Sequence, residues 1–183
     1  MFQYRFLLRI CLAAVYSLFF LLPAMHASAR VGDPVAVSTT VWRIIGYTRW
    51  PVEKPPMQIC IVGDSPNTDA LHKAAERSSP KRKDINVREW SANEASTTAC
   101  NVMYVGEITA EERTRLFQRI TGRPILTIGE GAEFCSSGGM FCINEYNGSL
   151  RFEANLDAIG RSKLRINPQV LRLARQPNNN GHE

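Results

Sequence analysis

Residues 58–64 have the sequence QICIVGD, a short apolar run that ends in Gly63-Asp64. A run of this kind, rich in β-branched residues and bounded by a turn, predicts a buried β-strand. Residues Asn67 to Arg77 follow with apolar positions at helical spacing, and Asn67 or Thr68 is placed to cap that helix. A buried strand that passes directly into a helix predicts the first unit of a layered α/β domain.

Strands and helices continue to alternate along the chain. Thr109 and Glu112 form a capping-box pattern, which predicts a helix from Thr109 to Thr121. Further strands are predicted at Ile85 to Trp90, Asn101 to Val105 and Arg123 to Gly129, with a hairpin of Met140 to Tyr146 and Leu150 to Ala154 around Asn147-Gly148. Further helices are predicted at Pro34 to Trp50, around Asn93 to Ala95 and at Pro168 to Arg175, and Leu156 to Leu164 is predicted to be a short helix or a turn. The predicted fold class is α/β, a layered domain with a mostly parallel central sheet flanked by helices and an antiparallel edge hairpin.

The amino terminus has the pattern of a secretory signal peptide. Arg5 and Arg9 precede an apolar run from Ile10 to Leu22, and Ala27-Ser28-Ala29 follows. The apolar run is shorter than the roughly 20 residues that a spanning helix needs, which disfavours an uncleaved anchor. We therefore expect cleavage after Ala29 and export to the periplasm.

Removal of the signal peptide, residues 1–29, leaves a chain of single-domain size. We predict one domain over residues 30–175 and a disordered tail over residues 176–183. The chain carries a formal net charge of +5, and its basic cluster Lys81-Arg82-Lys83 falls in a predicted loop. We interpret that cluster as a solvated loop and expect no nucleic-acid partner, because an exported protein meets no chromosome.

Four cysteines remain after the signal peptide, namely Cys60, Cys100, Cys135 and Cys142. An even number in an oxidising compartment predicts two disulfides, for which three pairings are formally possible. Because Cys135 and Cys142 flank a flexible Ser-Ser-Gly-Gly segment, we pair them with each other and Cys60 with Cys100. A redox-sensitive bridge is the alternative, and the short bridge is its candidate if it is exposed and strained.

The sequence lacks the usual signatures of metal, cofactor and catalytic sites. It has no C-x-x-C, and His72 and His182 are the only histidines after the signal peptide, which disfavours zinc. No G-x-S-x-G or P-loop occurs, and Gly129-Glu130-Gly131 lacks the third glycine of a dinucleotide fingerprint, so we interpret it as a turn after a strand. We predict a protein that is not an enzyme, with no catalytic residue, metal or cofactor.

The densest polar segment runs from Arg151 to Ala158, with Arg161 beyond it. On a strand, Arg151 and Glu153 share one face and Phe152 turns to the core. One interpretation is structural: Asn155 or Asp157 caps the next helical turn, and Arg151 or Arg161 braces them. The other is a polar pocket or a contact with a partner.

Several separated segments together resemble the YfiR/HmsC family of periplasmic regulators. They are Tyr47 to Pro51, Ile59 to Gly63, Cys100 with Val102 to Val105, Gly138 to Met140, Arg151 to Ala158, Leu164 to Pro168, and Leu171 to Ala174. Their order and spacing cover residues 35–175. No single segment is specific, and the resemblance depends on the combination.

The resemblance implies a repressor that binds the periplasmic domain of an inner-membrane GGDEF diguanylate cyclase. Binding would lower cyclic di-GMP and biofilm formation. The family pattern also implies sequestration by an outer-membrane OmpA-like lipoprotein, a homodimer, and dependence on disulfides that match the two pairings above. A periplasmic small-ligand binding domain, with a pocket near the carboxyl ends of the strands, is the alternative.

The residues that would bind a partner or a ligand are expected in the polar segment and the last helix. They are Arg151, Glu153, Asn155, Asp157, Arg161, Leu171 and Leu173. The two leucines cannot both face one core on a helix, so we expect one of them to be exposed. An exposed apolar residue at a surface patch is a candidate interface hot spot, although isolated exposed leucines are common.

Overall fold

Strands and helices alternate along the chain in the computed structural model, which describes residues 32–52, 56–78, 85–91, 100–146 and 149–175. The strands are β1 (Thr48–Arg49), β2 (Met57–Val62), β3 (Ile85–Trp90), β4 (Val102–Val105), β5 (Leu126–Glu130), β6 (Phe141–Tyr146), β7 (Ser149–Ala154) and β8 (Arg165–Ile166). The helices are α1 (Pro34–Gly46), α2 (Thr68–Ser78), α3 (Ala110–Ile120), α4 (Ala132–Ser136), α5 (Leu156–Arg161) and α6 (Val170–Arg175). The predicted signal peptide, the tail at 176–183, the basic cluster at 81–83, the stretch at 93–95 and the turn at 147–148 lie outside the described residues.

Six strands form the main sheet in the order β3-β2-β4-β5-β6-β7. The neighbours from β3 to β6 are parallel, and β7 pairs antiparallel with β6 at the edge. The predicted fold class, a layered α/β domain with a mostly parallel sheet and an antiparallel edge hairpin, is thus confirmed.

Side-chain alternation along the central strands builds a hydrophobic core on each face of the sheet. In β2, Ile59 and Ile61 face one core while Cys60 and Val62 face the other. The first core is covered by α1, α2, α5 and α6, and the second by α3 and α4. The central strands are buried on both faces because helices cover both, as is usual for parallel sheets.

Two disulfides lie in the second core. Cys60 of β2 is joined to Cys100, just before the neighbouring strand β4, and Cys135 of α4 is joined to Cys142 of β6. This is the pairing that the sequence predicted. All four cysteines are buried, so the short bridge lies inside the protein and not on its surface.

The opening helix is shorter than the sequence predicted. We expected it to continue to Trp50, but α1 ends at Gly46. The next residues leave the helix because Thr48 and Arg49 pair antiparallel with β8 as a separate two-stranded sheet. The predictions missed this sheet because strands of two residues carry no periodic signal.

The start of α2 also differs from the prediction. The helix begins at Thr68, and the Asn67 side chain before it does not act as a cap, because its Oδ1 accepts no hydrogen bond in the described part of the chain. Thr68 donates its hydroxyl hydrogen to the Ser65 carbonyl oxygen, and the Asn67 amide side chain points to Glu130. The capping box of α3 is present as predicted, with Thr109 accepting from the Glu112 backbone amide.

The short helix α4 was not predicted, and two glycines make room for it. Its Phe134 ring is buried against Gly129 and Gly139. A Cβ atom added at Gly139 would lie 2.1 Å from a Phe134 ring carbon, and one at Gly129 would lie 2.4 Å from the ring. The absence of side chains at these two positions therefore lets α4, and with it Cys135, lie close to the sheet.

Candidate functional site

The edge hairpin exposes part of one polar face. In its register Cys142 pairs with Glu153, Asn144 with Arg151, and Tyr146 with Ser149, and directly paired residues point to the same side of a sheet. Cys142 is buried under α4 at one end, whereas Tyr146, Arg151 and Glu153 are exposed. We call the uncovered part, formed by Asn144, Tyr146, Ser149, Arg151 and Glu153, the hairpin surface.

Arg151 and Tyr146 form a cation–π pair at the centre of the hairpin surface. The guanidinium carbon of Arg151 lies 5.0 Å from the centroid of the Tyr146 ring. The ring remains 59% exposed, although it is a large aromatic side chain. Tyrosine and arginine are both enriched in protein–protein interfaces, so this pair gives the surface the chemistry of a docking site.

Arg151 and Glu153 lie on one face and Phe152 in the core, as the strand alternation predicted. The structural interpretation of the segment is only partly right. Asn155 does cap α5, since its side chain accepts from the Ala158 backbone amide at 2.9 Å. Arg151 does not brace it, because its guanidinium lies over Tyr146 instead.

Asn155 connects three parts of the protein through hydrogen bonds. Its backbone amide donates to the Met140 carbonyl oxygen at 2.9 Å, and its Oδ1 caps α5. Its Nδ2 donates to the carbonyl oxygen of Cys135 at 2.8 Å. Helix α4, which carries Cys135 of the short disulfide, is thereby joined to the end of β7 and the start of α5.

Helix α5 presents the remaining charged candidates to solvent. Leu156, its first residue, is 62% exposed, and Asp157 and Arg161 are exposed as well. Asp157 lies in the first turn and Arg161 in the last, where each charge is favourable to the helix dipole. The exposed apolar residue next to the hairpin is therefore Leu156, which the sequence did not single out.

The last helix contributes less than expected to an exposed surface. Helix α6 packs against β7, and Leu171 is half-buried against the first core. The side chain of Leu173 lies outside the described residues. The prediction that one of the two leucines is exposed therefore stays a prediction.

A second polar constellation lies at the carboxyl ends of β2, β4 and β5, and the sequence did not reveal it. One carboxylate oxygen of Glu130, Oε1, accepts from Ser65 Oγ at 2.6 Å, Tyr104 Oη at 2.7 Å and Asn67 Nδ2 at 2.9 Å. Asn67 and Tyr104 are fully buried. We call these four residues the Glu130 cluster.

The Glu130 cluster is a hydrogen-bond network that stabilises the folded protein. Burial, the Glu130 carboxylate beside it and the hydrogen bond to that carboxylate hold the pKa of Tyr104 well above the ordinary range of a tyrosine. The phenol therefore stays protonated and donates to Glu130 at neutral pH. The signal that could have located the cluster is a carboxylate at the carboxyl end of a parallel strand. The interpretation of Gly129-Glu130-Gly131 as a turn is wrong for its first two residues, because β5 continues to Glu130.

Neither a metal centre nor a membrane helix is found among the described residues. Within that part of the chain, no three or more His, Cys, Asp or Glu side chains cluster in a way that could hold a metal ion. None of the helices there has the length and hydrophobicity needed to cross a bilayer.

Comparison with known protein families gives a match over most of the chain. A family model described as YfiR/HmsC-like covers residues 36–175, which include every described strand of the main sheet and all four disulfide cysteines. The match begins after the predicted signal peptide and ends where the predicted tail begins. The chain therefore belongs to the YfiR/HmsC-like family, a regulatory rather than a catalytic family of periplasmic proteins associated with diguanylate cyclase control.

Proposed function

We propose that the mature protein is a periplasmic repressor that binds the periplasmic domain of an inner-membrane GGDEF diguanylate cyclase and lowers cyclic di-GMP. Family membership supports a role in the regulation of such a cyclase. The observation that supports direct binding is the hairpin surface, where the exposed Tyr146 and Arg151 side chains stack at the edge of the sheet.

The contact would combine a rigid centre with charged surroundings. Tyr146 and Arg151 stand on paired strands, so their backbone positions are fixed before binding and little conformational entropy is lost there. Glu153, on the same face as Arg151, adds a negative charge beside the positive one, which would fix the orientation of a partner more than its affinity. Leu156 adds an exposed apolar side chain.

The disulfides would connect this surface to the redox state of the periplasm. Cys135 is bonded to Cys142 and its carbonyl oxygen accepts from Asn155, which caps the helix that begins with Leu156. Reduction of the short bridge would loosen α4, which Asn155 holds through the Cys135 carbonyl oxygen, and through Asn155 the start of α5. Because both sulfurs are buried, this bridge would need local opening before a reductant reaches it.

Export by a signal peptide cleaved after Ala29, a homodimeric state and sequestration by an outer-membrane OmpA-like lipoprotein belong to the same proposal. They agree with the family, and each can be tested separately from cyclase binding.

The proposal is tested by the level of cyclic di-GMP in cells. Deletion of the gene should raise it, and expression of the wild-type protein should restore it. The double variant Tyr146→Ala/Arg151→Ala should fail to restore it while reaching the periplasm in equal amounts. Arg115→Ala is the matched control, because Arg115 is also exposed and its contact is with Glu111 on the same helix. Full restoration by the double variant would overturn the role of the hairpin surface, and no change on deletion would overturn the repressor role.

A further inference from the structure

A groove between α1 and α2 lies apart from both sites described above. Its lining residues are Ser38, Thr39, Trp42 and Arg43 of α1 with Ala74 and Arg77 of α2. Its volume of about 350 Å³ is within the range of small-molecule sites. We call it the helix groove.

Two arginines give the helix groove a positive charge. Arg43 lies in the last turn of α1 and Arg77 in the last turn of α2, and both side chains are exposed. Among the described residues no carboxylate forms an ion pair with either guanidinium. Two unpaired guanidinium groups on one small groove favour an anion, since each can donate to a carboxylate or phosphate with two N–H groups.

Trp42 adds an aromatic wall to the helix groove. Its indole Nε1 is buried without a hydrogen-bond partner in the described part of the chain, although most buried donors in proteins are paired. The half-buried side chain lines the groove while it packs against the first core. The buried N–H lies out of reach of a ligand in the groove, but an aromatic ring would pack on the exposed part of the indole.

The hydroxyl groups of the helix groove do not change its preference for an anion. Ser38 and Thr39 both donate to the carbonyl oxygen of Val35, at 3.0 Å and 2.7 Å. Their hydrogens are therefore used within α1, and the donors that the described lining residues offer to a ligand are the two guanidinium groups. None of the described residues that line the groove is a carboxylate, so they offer a cationic ligand no counter-ion.

We propose that the helix groove binds a small aromatic molecule that carries a negative charge, with Arg43 and Arg77 holding the anionic group and Trp42 contacting the ring. This is a small-molecule site in addition to the proposed partner surface. Its occupant would reach the protein from the periplasm, and its site shares no residue with the hairpin surface.

The test compares two probes with the same rings and different charge. 8-Anilinonaphthalene-1-sulfonate carries a sulfonate, and N-phenyl-1-naphthylamine lacks it. The protein is exported, purified from the periplasm and titrated with each probe while the probe's fluorescence is followed. We expect saturable binding of the sulfonate at one site per chain, at least tenfold tighter than that of the neutral probe.

Variants then assign the binding to the groove. The double variant Arg43→Gln/Arg77→Gln should weaken sulfonate binding at least tenfold and remove the preference over the neutral probe, with an unchanged melting temperature. Trp42→Leu, which removes the aromatic ring, should weaken binding several-fold. Arg115→Gln, an exposed arginine on α3, should leave it unchanged. Competition with 1-naphthoate and 1-naphthyl phosphate shows which anion the groove prefers.

Several results would overturn this site. They are the absence of saturable binding, equal affinity for both probes, unchanged affinity of the double arginine variant, and failure of both competitors to displace the sulfonate. Because none of the variants touches the hairpin surface, this outcome is independent of cyclase binding.

Discussion

Substitution of Tyr104 by Phe removes one hydroxyl group from the Glu130 cluster and leaves the ring in place. The hydroxyl donates to Glu130 Oε1 at 2.7 Å, and Tyr104 is fully buried. A hydrogen bond to a charged group contributes about 1.5–3 kcal/mol to stability. We expect Tyr104→Phe to lower the free energy of unfolding by that amount near pH 7, which corresponds to a melting temperature lower by about 3–10 °C for a domain of this size.

The same group makes the stability difference depend on alkaline pH. The pKa of Tyr104 is raised in the folded protein, so the unfolded state loses the phenolic proton first as the pH rises. The stabilisation is therefore fully present below the unfolded pKa of about 10 and declines above it. The wild type should lose about 1.4 kcal/mol more than Tyr104→Phe between pH 9 and pH 11.

Urea denaturation followed by circular dichroism measures both effects on the oxidised protein. Tyr146→Phe is the matched control, because it removes a hydroxyl from an exposed tyrosine and should change stability by less than about 0.5 kcal/mol. Two results would refute a stabilising role for the Glu130 cluster. One is a loss in the free energy of unfolding below about 0.5 kcal/mol for Tyr104→Phe at pH 7, and the other is the same decline in stability at alkaline pH in variant and wild type.

Three further predictions concern the stability of the fold. Asn155→Ala should lower the free energy of unfolding by about 1–3 kcal/mol in urea denaturation, because it removes a helix cap and a second hydrogen bond. Asn155→Asp keeps the cap and should cost less, and equal losses for the two variants would contradict the two roles of Asn155. Gly139→Ala should destabilise the protein by more than about 2 kcal/mol in the same assay, because its Cβ would overlap the buried Phe134 ring. Gly160→Ala, whose Cβ meets open space in a helix, should be neutral or stabilising by up to about 1 kcal/mol. Replacement of both cysteines of the Cys60–Cys100 bridge by serine should lower the free energy of unfolding by about 4 kcal/mol, against about 2.5 kcal/mol for the Cys135–Cys142 bridge. The bridge that closes the longer loop restricts the unfolded chain more, and the reverse order of thermal midpoints would argue against this entropic account.

The sequence predicted the features of the fold that are repeated or locally encoded. The strand β2 and the capping box of α3 were found where we expected them, because apolar runs and caps are local signals. The two-stranded sheet of β1 and β8 was missed because it joins residues from the two ends of the domain. The carboxyl end of α1 depends on that pairing, so the predicted helix was too long.

The candidate sites were predictable to a smaller extent. Strand alternation was enough to place Arg151 and Glu153 on one face, but not to reveal that Tyr146 stacks on Arg151, because that contact depends on the hairpin register. The Glu130 cluster joins residues from three strand ends, and the helix groove depends on how α1 and α2 pack. Such arrangements follow from tertiary packing, which no local pattern encodes.

The central claim is tested most directly by the affinity of the oxidised mature protein, residues 30–183, for the periplasmic domain of a membrane GGDEF cyclase from the same genome. Biolayer interferometry with the immobilised cyclase domain should show saturable binding of the wild type, and weaker binding after mild reduction. The affinity should fall at least tenfold for Tyr146→Ala/Arg151→Ala and stay unchanged for Arg115→Ala. The absence of binding by the oxidised wild type, or equal binding by the double variant, would contradict a repressor that acts through the hairpin surface.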